Sequence, residues 1–443
     1  MTTMIDVSIP GDKSTSTRAL LLSLLADGRC TVDNVPLSRT TDHVLAVLRQ
    51  LGAEVDVVGT SVTVSPPPAI PSGQTIDCGG SATLARILMG LLAGANVDAV
   101  VDGSEMLRRR PMERVRKPLN DYFGREVLSL QDGKLPARLH AGPPPTTTTA
   151  IECMESAQVR SALCFAAMAA GLPFPVTGTT SKARRALEHL CSEIGISSAD
   201  PHVPPFHAMT PNDPSAEAFP LALAVALGRG LVVDGPPYRG GFDRSGFHLA
   251  VVKMGASFGP GFRGAPAPGR LTDEFAPGYV PANTRLSPRS GPLTGIVLAA
   301  DPVPEASLSA GRHVYTLGLW TLIDEIPILA ALCALASTPS RLCGLAELRV
   351  KESDRVSRTA EMLQAFGAAV VEEGDDLVIE PSQLRAPTQA IRTDHDHRIA
   401  MTALTLGRIL DVDVELDDED CVDESWRGFA LFIDETARRL RAS

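Results

Sequence analysis

Short polar stretches give way to long apolar ones in a pattern that recurs along the chain. The polar run Gly11-Asp-Lys-Ser-Thr-Ser-Thr-Arg18 leads into the apolar residues 19–26, Gly28 follows, and Cys30-Thr-Val-Asp33 reads as a short β-branched strand. Ser14 or Ser16 is expected to cap the helix, Leu21, Leu22, Leu24 and Leu25 to form its buried face, and Gly28 to stop it. The same order of polar cap, apolar helix, glycine and strand begins again near Ser81, Ser156, Ser215, Asp324 and His397. These helices are apolar around nearly their whole circumference, which marks helices buried inside a domain rather than laid on its face.

After most of these helices comes a strand, for which residues 97–101 and 412–416 are candidates. Then come a second, amphipathic helix and a hairpin. The clearest cases are 42–51 with 53–64, and 354–366 with 368–380, where Gly-Ala-x-Val marks entry into β-structure. The repeating unit is therefore βαβαββ, six times over. No unit can bury its helices alone, so three and three are expected to pack into two α/β domains with helices inside and strands outside, divided near residue 212. Helix N-termini repeating at one end of each unit would gather positive dipole ends around an anion. The proline-rich stretches 66–68, 143–145 and 266–268 read as surface loops.

Composition narrows this picture. At 443 residues, 44% hydrophobic and 21% charged, the chain has room for two or three globular domains, and no apolar run is long enough to span a membrane. Eight cysteines lie scattered without CxxC spacing, so free buried thiols in a reduced, cytoplasmic compartment are expected, and no structural zinc. A net charge of −11 argues against a nucleic-acid polymer as partner but not against a local cationic cleft. With six lysines against 35 arginines, Lys13 and Lys351 carry more information than an average lysine.

Polar groups concentrate at the helix starts. Lys13, Ser14, Ser16 and Arg18 describe an anion site, because basic and hydroxyl groups before a buried helix are costly unless an anion uses them. In Leu107-Arg-Arg-Arg-Pro-Met112, Arg108 and Arg109 read as solvated and Arg110 as turned inward. Ser156-Ala-Gln158 repeats the capped geometry, with Gln158 able to donate to a carboxylate or phosphate. In Lys351-Glu-Ser-Asp-Arg355, Ser353 is a cap candidate and Glu352 a candidate acid or base. Thr393-Asp-His-Asp-His-Arg398 has metal-ligand residue types, but no other cluster completes a coordination shell, and an anion site fits better. For Asp324, before an apolar helix, capping alone would be a sufficient role.

Taken in order, Gly11-Asp-Lys-Ser, Asp77-Cys-Gly79, Arg110-Pro-Met, Ser156-Ala-Gln, Ile323-Asp-Glu-Ile-Pro, Leu348-Arg-Val-Lys-Glu-Ser-Asp-Arg355 and Asp396-His-Arg-Ile-Ala-Met401 closely resemble the EPSP synthase (3-phosphoshikimate 1-carboxyvinyltransferase) family of enolpyruvyl transferases. The resemblance implies two inside-out α/β domains of three βαβαββ units each. One would be formed by residues 1–12 plus 212–443 and the other by 13–211, with the active site in the cleft and the lobes closing over it. It also implies transfer of the enolpyruvyl group of phosphoenolpyruvate to a hydroxyl of a phosphorylated acceptor, with release of phosphate and without metal or organic cofactor. The acceptor would be shikimate 3-phosphate, and the enzyme is expected to act as a monomer.

The resemblance also implies residue roles. Asp324 would bind and deprotonate the acceptor hydroxyl, Glu352 would donate or relay a proton assisted by His397, and Lys13 joins this catalytic set. Lys13, Ala82, Arg110, Gln158, Arg355 and Arg398 would line phosphoenolpyruvate. Ser14, Arg18, Ser156, Ser181, Asp324 and Lys351 would bind the acceptor.

Several positions depart from the family pattern. Thr17 stands for the usual His or Asn, Gly80 for Asn and Ala82 for Gly, where a methyl crowds anything bulkier than substrate. Glu424 stands for a lysine that contacts phosphoenolpyruvate, and a carboxylate there repels phosphate unless it is rotated away, protonated or paired. Ser181-Lys-Ala-Arg-Arg185 replaces the usual Ser-Arg-Asp-His-Thr. These changes raise two alternatives: a specialised transferase acting on another acceptor such as the 3'-hydroxyl of UMP in nucleoside-antibiotic assembly, and a catalytically dead ligand-binding homologue.

Overall fold

A computed structural model of the protein describes residues 4–143, 148–152, 156–173, 176–177, 186–197, 201–236, 246–258, 284–299, 314–316 and 322–443. The chain divides into two compact units, Pro10–Pro211 and Met1–Ile9 with Asn212–Ser443.

In the first unit the helices are α1 (Lys13–Leu22), α2 (Arg39–Gln50), α3 (Ala82–Gly94), α4 (Glu105–Arg109), α5 (Glu113–Phe123), α6 (Ala157–Ala170) and α7 (Ala186–Glu193). Two four-stranded sheets share one plan. Gln74–Asp77 runs parallel to Ala99–Asp102, which pairs antiparallel with Lys134–Leu139, itself hairpin-paired to Leu128–Gln131. His207–Met209, Cys30–Asp33, Ser61–Ser65 and Glu54–Val58 repeat that order. A crossover helix is what a parallel neighbour requires, and a tight turn is what an antiparallel one allows. Asp132 (φ 50°) and Gly133 (φ 71°) both sit in the left-handed region to make one such turn.

The second unit holds α8 (Pro214–Leu227), α9 (Gly246–Lys253), α10 (Ile326–Ala334), α11 (Arg355–Ala365), α12 (His397–Leu410) and α13 (Phe429–Ala442). Its sheets repeat the plan twice more. The first runs Ile5–Ser8, Leu231–Asp234, Thr284–Ser287 and Ser257–Phe258; the second contains Val297–Ala299, Ser340–Cys343, Asp376–Glu380 and Ala369–Glu373, with Val314–Thr316 added at one edge.

The helices read as apolar on all sides are the buried ones. All nine residues of α10 and eleven of the thirteen in α3 are shielded from water. Each unit has its own apolar core. Among the described residues no helix is long and apolar enough to cross a membrane.

Three local expectations change. Carboxylates, not hydroxyls, cap most of the helices that carry polar motifs: Asp12 caps α1 through Thr15 N at 2.6 Å, Asp354 caps α11, Asp213 caps α8 and Asp396 caps α12. A full negative charge complements the helix dipole better than a hydroxyl does. Ser14, Ser16 and Ser353 therefore do not cap. The first helix stops at Leu22 and tightens into a 3-10 turn, Ser23–Leu25, before reaching Gly28.

Residues 412–416 do not pair as a strand; apart from one bridge, Ile391 to Leu416, they have no ladder. Val414 lies instead against the backbone of α12, where a Cβ at Gly407 would come within 2.5 Å of its Cγ2.

Candidate active site

In the first unit, the sequence-marked residues stand at the starts of α1, α3 and α6 and just after α4. Lys13 opens α1 and is half-buried, as is Ser14. Arg18 is 2% exposed, its Nη1 donating to Ser14 O at 2.9 Å and its Nε to Ser161 Oγ at 3.0 Å on α6. These two bonds fix the guanidinium between α1 and α6. Thr17 turns its hydroxyl onto Lys13 O at 2.8 Å, within its own helix.

Ser81 and Ser156 cap α3 and α6 through Leu84 N and Val159 N, and Ala82 is buried at the first position of α3. Arg110 follows α4 and is 9% exposed, whereas Arg108 and Arg109 pair with Asp102 and Glu105 at the surface. Gln158 donates from Nε2 to Thr83 Oγ1 at 2.8 Å and accepts at Oε1 from Arg86 Nη1. Ser181 lies outside the described residues.

In the second unit the centre is Arg355, 1% exposed at the first position of α11. Nη1 donates to Asp324 Oδ1 at 2.7 Å, Nη2 to Glu352 Oε2 at 2.7 Å, and Nε to Asp396 Oδ2 at 2.8 Å. Burial alone would push the pKa of this guanidinium down, but the three carboxylates hold it well above its ordinary value. Asp324 therefore spends a carboxylate oxygen on Arg355 while Glu325 takes the cap position of α10. The Asp324 and Glu352 side chains keep 32% and 19% of their surface open to solvent, and the guanidinium between them keeps almost none.

Asp394 (φ 52°) and His395 (φ 60°) are both left-handed, and this tight turn delivers the fully buried Asp396. Its carboxylate accepts from Arg398 N, Ser353 Oγ and Arg355 at once. His397 and Arg398, each 4% exposed, open α12. Arg398 Nη1 donates to Ser215 O at 3.2 Å, the guanidinium lies 5.9 Å from the Phe219 ring centroid, and Nε meets no hydrogen-bond partner among the described residues. Ser215, in turn, donates to the buried Glu325. Lys351 is half-buried and reaches Glu347 at 3.4 Å. Glu424 ends the 3-10 turn Asp420–Glu424 and is half-buried.

Among the described residues, no three His, Cys, Asp or Glu side chains are placed to hold a metal ion. His395 instead pairs with Asp418 at 2.5 Å on the surface.

Two residues central to this geometry, Asp396 and Arg86, were not assigned roles by sequence reading. Asp396 lies inside a motif of metal-ligand residue types, and an Asp immediately before an apolar helix is a cap signal. Arg86 is the one charged residue of an otherwise apolar helix, and such a charge needs partners.

The fold and these clusters define a class: a two-unit α/β protein of recurring βαβαββ sheets, with arginines and carboxylates assembled where buried helices begin. Residues 4–236 and 302–431 match the family profile of EPSP synthase (3-phosphoshikimate 1-carboxyvinyltransferase), and the chain belongs to that family. The 3-phosphoshikimate 1-carboxyvinyltransferase of Acidiphilium cryptum is 32% identical over 445 residues, covering 96% of this chain and 92% of that one. The enzyme of the same name from a Methylobacterium species is 31% identical over 452 residues, covering 95% and 92%. In fold, the chain is similar to EPSP synthase from Acinetobacter baumannii (TM-score 0.69, 24% identity, covering 99% and 96%). It is also similar to the enolpyruvyl transferase NikO from Streptomyces tendae (TM-score 0.62, 16% identity, covering 99% and 95%).

Proposed function

We propose that the protein transfers the enolpyruvyl group of phosphoenolpyruvate to a hydroxyl of shikimate 3-phosphate and releases inorganic phosphate. The C2 carbon of phosphoenolpyruvate becomes electrophilic only when its methylene carbon takes a proton, so an acid acts there while a base takes the acceptor's hydroxyl proton. Glu352 is the acid and Asp324 the base, with His397 assisting the proton transfer. The C–O bond to the acceptor forms a tetrahedral intermediate. Loss of phosphate from C2, with the proton held by Asp324 passing to the departing phosphate and one proton of the new methyl group returning to Glu352, then gives the enol ether.

The observation that supports this most is that one buried guanidinium, Arg355, holds Asp324 and Glu352 at 2.7 Å each. A fixed cation joined to both carboxylates keeps the two proton-transfer groups in one constellation. Lys13, Ala82, Arg110 and Gln158 of the first unit and Arg398 of the second serve phosphoenolpyruvate. Ser14, Arg18, Ser156, Ser181 and Lys351 serve the acceptor. The same reading makes the enzyme a cytoplasmic monomer.

Phosphate release tests the assignment. Asp324→Asn and Glu352→Gln should each lower kcat by about 100-fold or more while phosphoenolpyruvate still binds. Full activity in both variants would remove the two carboxylates from the mechanism.

One observation favours a second acceptor, a nucleotide hydroxyl such as the 3'-hydroxyl of UMP. At a position where the family carries His or Asn, Thr17 spends its hydroxyl proton on Lys13 O within its own helix and so has none to donate to an acceptor. Phosphate release with UMP and none with shikimate 3-phosphate would select this reading.

A further inference from the structure

Helices α3 and α6 run side by side with a constant offset in sequence. A Cβ at Gly90 would fall 2.0 Å from Ala162 O and one at Gly94 2.2 Å from Ala166 O, so the two backbones are in contact at both levels. Residue 90 faces 162 and 94 faces 166; both helices therefore advance together, in parallel, and their N-termini lie at the same end. The next level toward those N-termini pairs 86 with 158. There Arg86 Nη1 donates to Gln158 Oε1, in the same register as the glycine contacts below it.

Arg86 also reaches a third segment, since its Nη2 donates to Pro111 O at 3.1 Å, one residue beyond Arg110. One side chain thus joins α3, the first turn of α6 and the segment carrying Arg110. A glutamine amide has an accepting and a donating end, and nothing in its shape decides which faces a ligand. Arginine only donates, so it can bond Gln158 only through Oε1. Thr83 Oγ1 takes one hydrogen of Nε2 at 2.8 Å. The carbonyl end is thereby turned to the guanidinium, and the second Nε2 hydrogen is the one left for a ligand, as a carboxylate or phosphate oxygen requires.

We propose that Arg86 is a positioning residue for phosphoenolpyruvate, acting through Gln158 and through the Arg110–Pro111 segment. The proposal rests on the reading that Gln158 and Arg110 face that substrate. With Arg86 removed, the Gln158 amide is able to turn over and offer its carbonyl to the anion, which is repulsive, and the Arg110 segment loses its tie to α3.

The test is a double-mutant cycle of Arg86→Met and Gln158→Met, read as KM for phosphoenolpyruvate and for the acceptor separately. Each single change should raise the phosphoenolpyruvate KM by about tenfold or more, with the acceptor KM within about twofold, and the double variant should be no worse than the poorer single. Arg86→Lys, with a shorter reach to its two acceptors, should restore part of the loss. Multiplying effects in the double variant, or an equal rise in the acceptor KM, would overturn the proposal.

A second measurement does not depend on turnover. The Gln158 side-chain amide, assigned in a 15N spectrum by its loss in Gln158→Glu, should shift in Arg86→Lys and in Thr83→Val, with the melting temperature held within about 2 °C in each. An unmoved amide in both variants sinks the positioning role even if the wild type is fully active. If the wild type releases no phosphate at all, the reading of the substrate fails, and this spectrum still decides whether Arg86 orients Gln158.

Discussion

Arg355 Nε lies 2.8 Å from Asp396 Oδ2, and neither side chain shows more than 1% of its surface to solvent. Asp396 is thus the one of Arg355's three carboxylate partners that water does not reach. It also caps α12 and receives Ser353 Oγ at 2.9 Å, so it ties the start of α11 to the start of α12. Removing one member of a buried ion pair leaves the other charge uncompensated at a cost of about 3–5 kcal/mol. Asp396→Ala should lose about that much stability in urea unfolding, whereas Asp324→Asn, whose side chain is 32% exposed, should lose much less. Equal losses would mean that Asp396 does not anchor the guanidinium.

The contact between α3 and α6 sets a second expectation. At Gly90 a Cβ would press to within 2.0 Å of a backbone oxygen that has no flexible end to yield. Gly90→Ala should therefore push the helices apart and destabilise the unit by about 1–3 kcal/mol. Gly59, with nothing within 4 Å of its Cβ, lies at φ +61°, so Ala there should strain only the turn. Thermal melts of the two variants should separate packing from turn strain, with the larger loss at Gly90. A neutral Gly90→Ala would contradict the close approach.

Arg398 offers a planar fork that a lysine cannot copy. Its Nη1 is held by Ser215 O, and its Nε has no hydrogen-bond partner among the described residues, so the group is oriented yet retains donor capacity for an anion. Arg398→Lys should raise the phosphoenolpyruvate KM by about 10- to 100-fold with little change in acceptor KM. An unchanged KM would remove Arg398 from the residues that serve phosphoenolpyruvate.

His395 gives a pH dependence with a definite sign. Its bond to Asp418 raises its pKa above the ordinary histidine value, against a smaller opposing effect of burial. The folded state therefore binds this proton more tightly than the unfolded state. Its stabilisation is complete below about pH 6.5 and is lost as pH rises through the raised value. Because the His395 side chain is 76% exposed, the effect is small and screened by salt. His395→Gln should melt slightly below the wild type at pH 5.5 and together with it at pH 9. The reverse order would show that the pair does not stabilise the fold.

Much of this structure was legible because burial leaves a plain mark. Helices apolar on every side, such as 82–94 and 326–334, announced an interior position, and the Gly-Ala-x-Val hairpins at 53–64 and 368–380 formed as read. Caps were less legible. Asp12 and Ser14 both stand at the start of the same helix, and only the three-dimensional path decides that the carboxylate of Asp12 reaches Thr15 N while Ser14 falls inside the first turn.

The stretch 412–416 alternates like a strand, yet its apolar side chains found a helix to cover instead of a ladder to join. The three carboxylate partners of Arg355 lie 31, 3 and 41 residues away along the chain, and only the second of these spacings is visible to periodicity.

Phosphorus NMR follows enolpyruvyl transfer directly. The wild-type protein, mixed with phosphoenolpyruvate and shikimate 3-phosphate, should convert the phosphoenolpyruvate resonance to inorganic phosphate in equal amount, with a shifted acceptor phosphate appearing in step. Without acceptor there should be no release. A phosphoenolpyruvate resonance that persists with shikimate 3-phosphate and with UMP alike, in protein that binds phosphoenolpyruvate, would contradict the account.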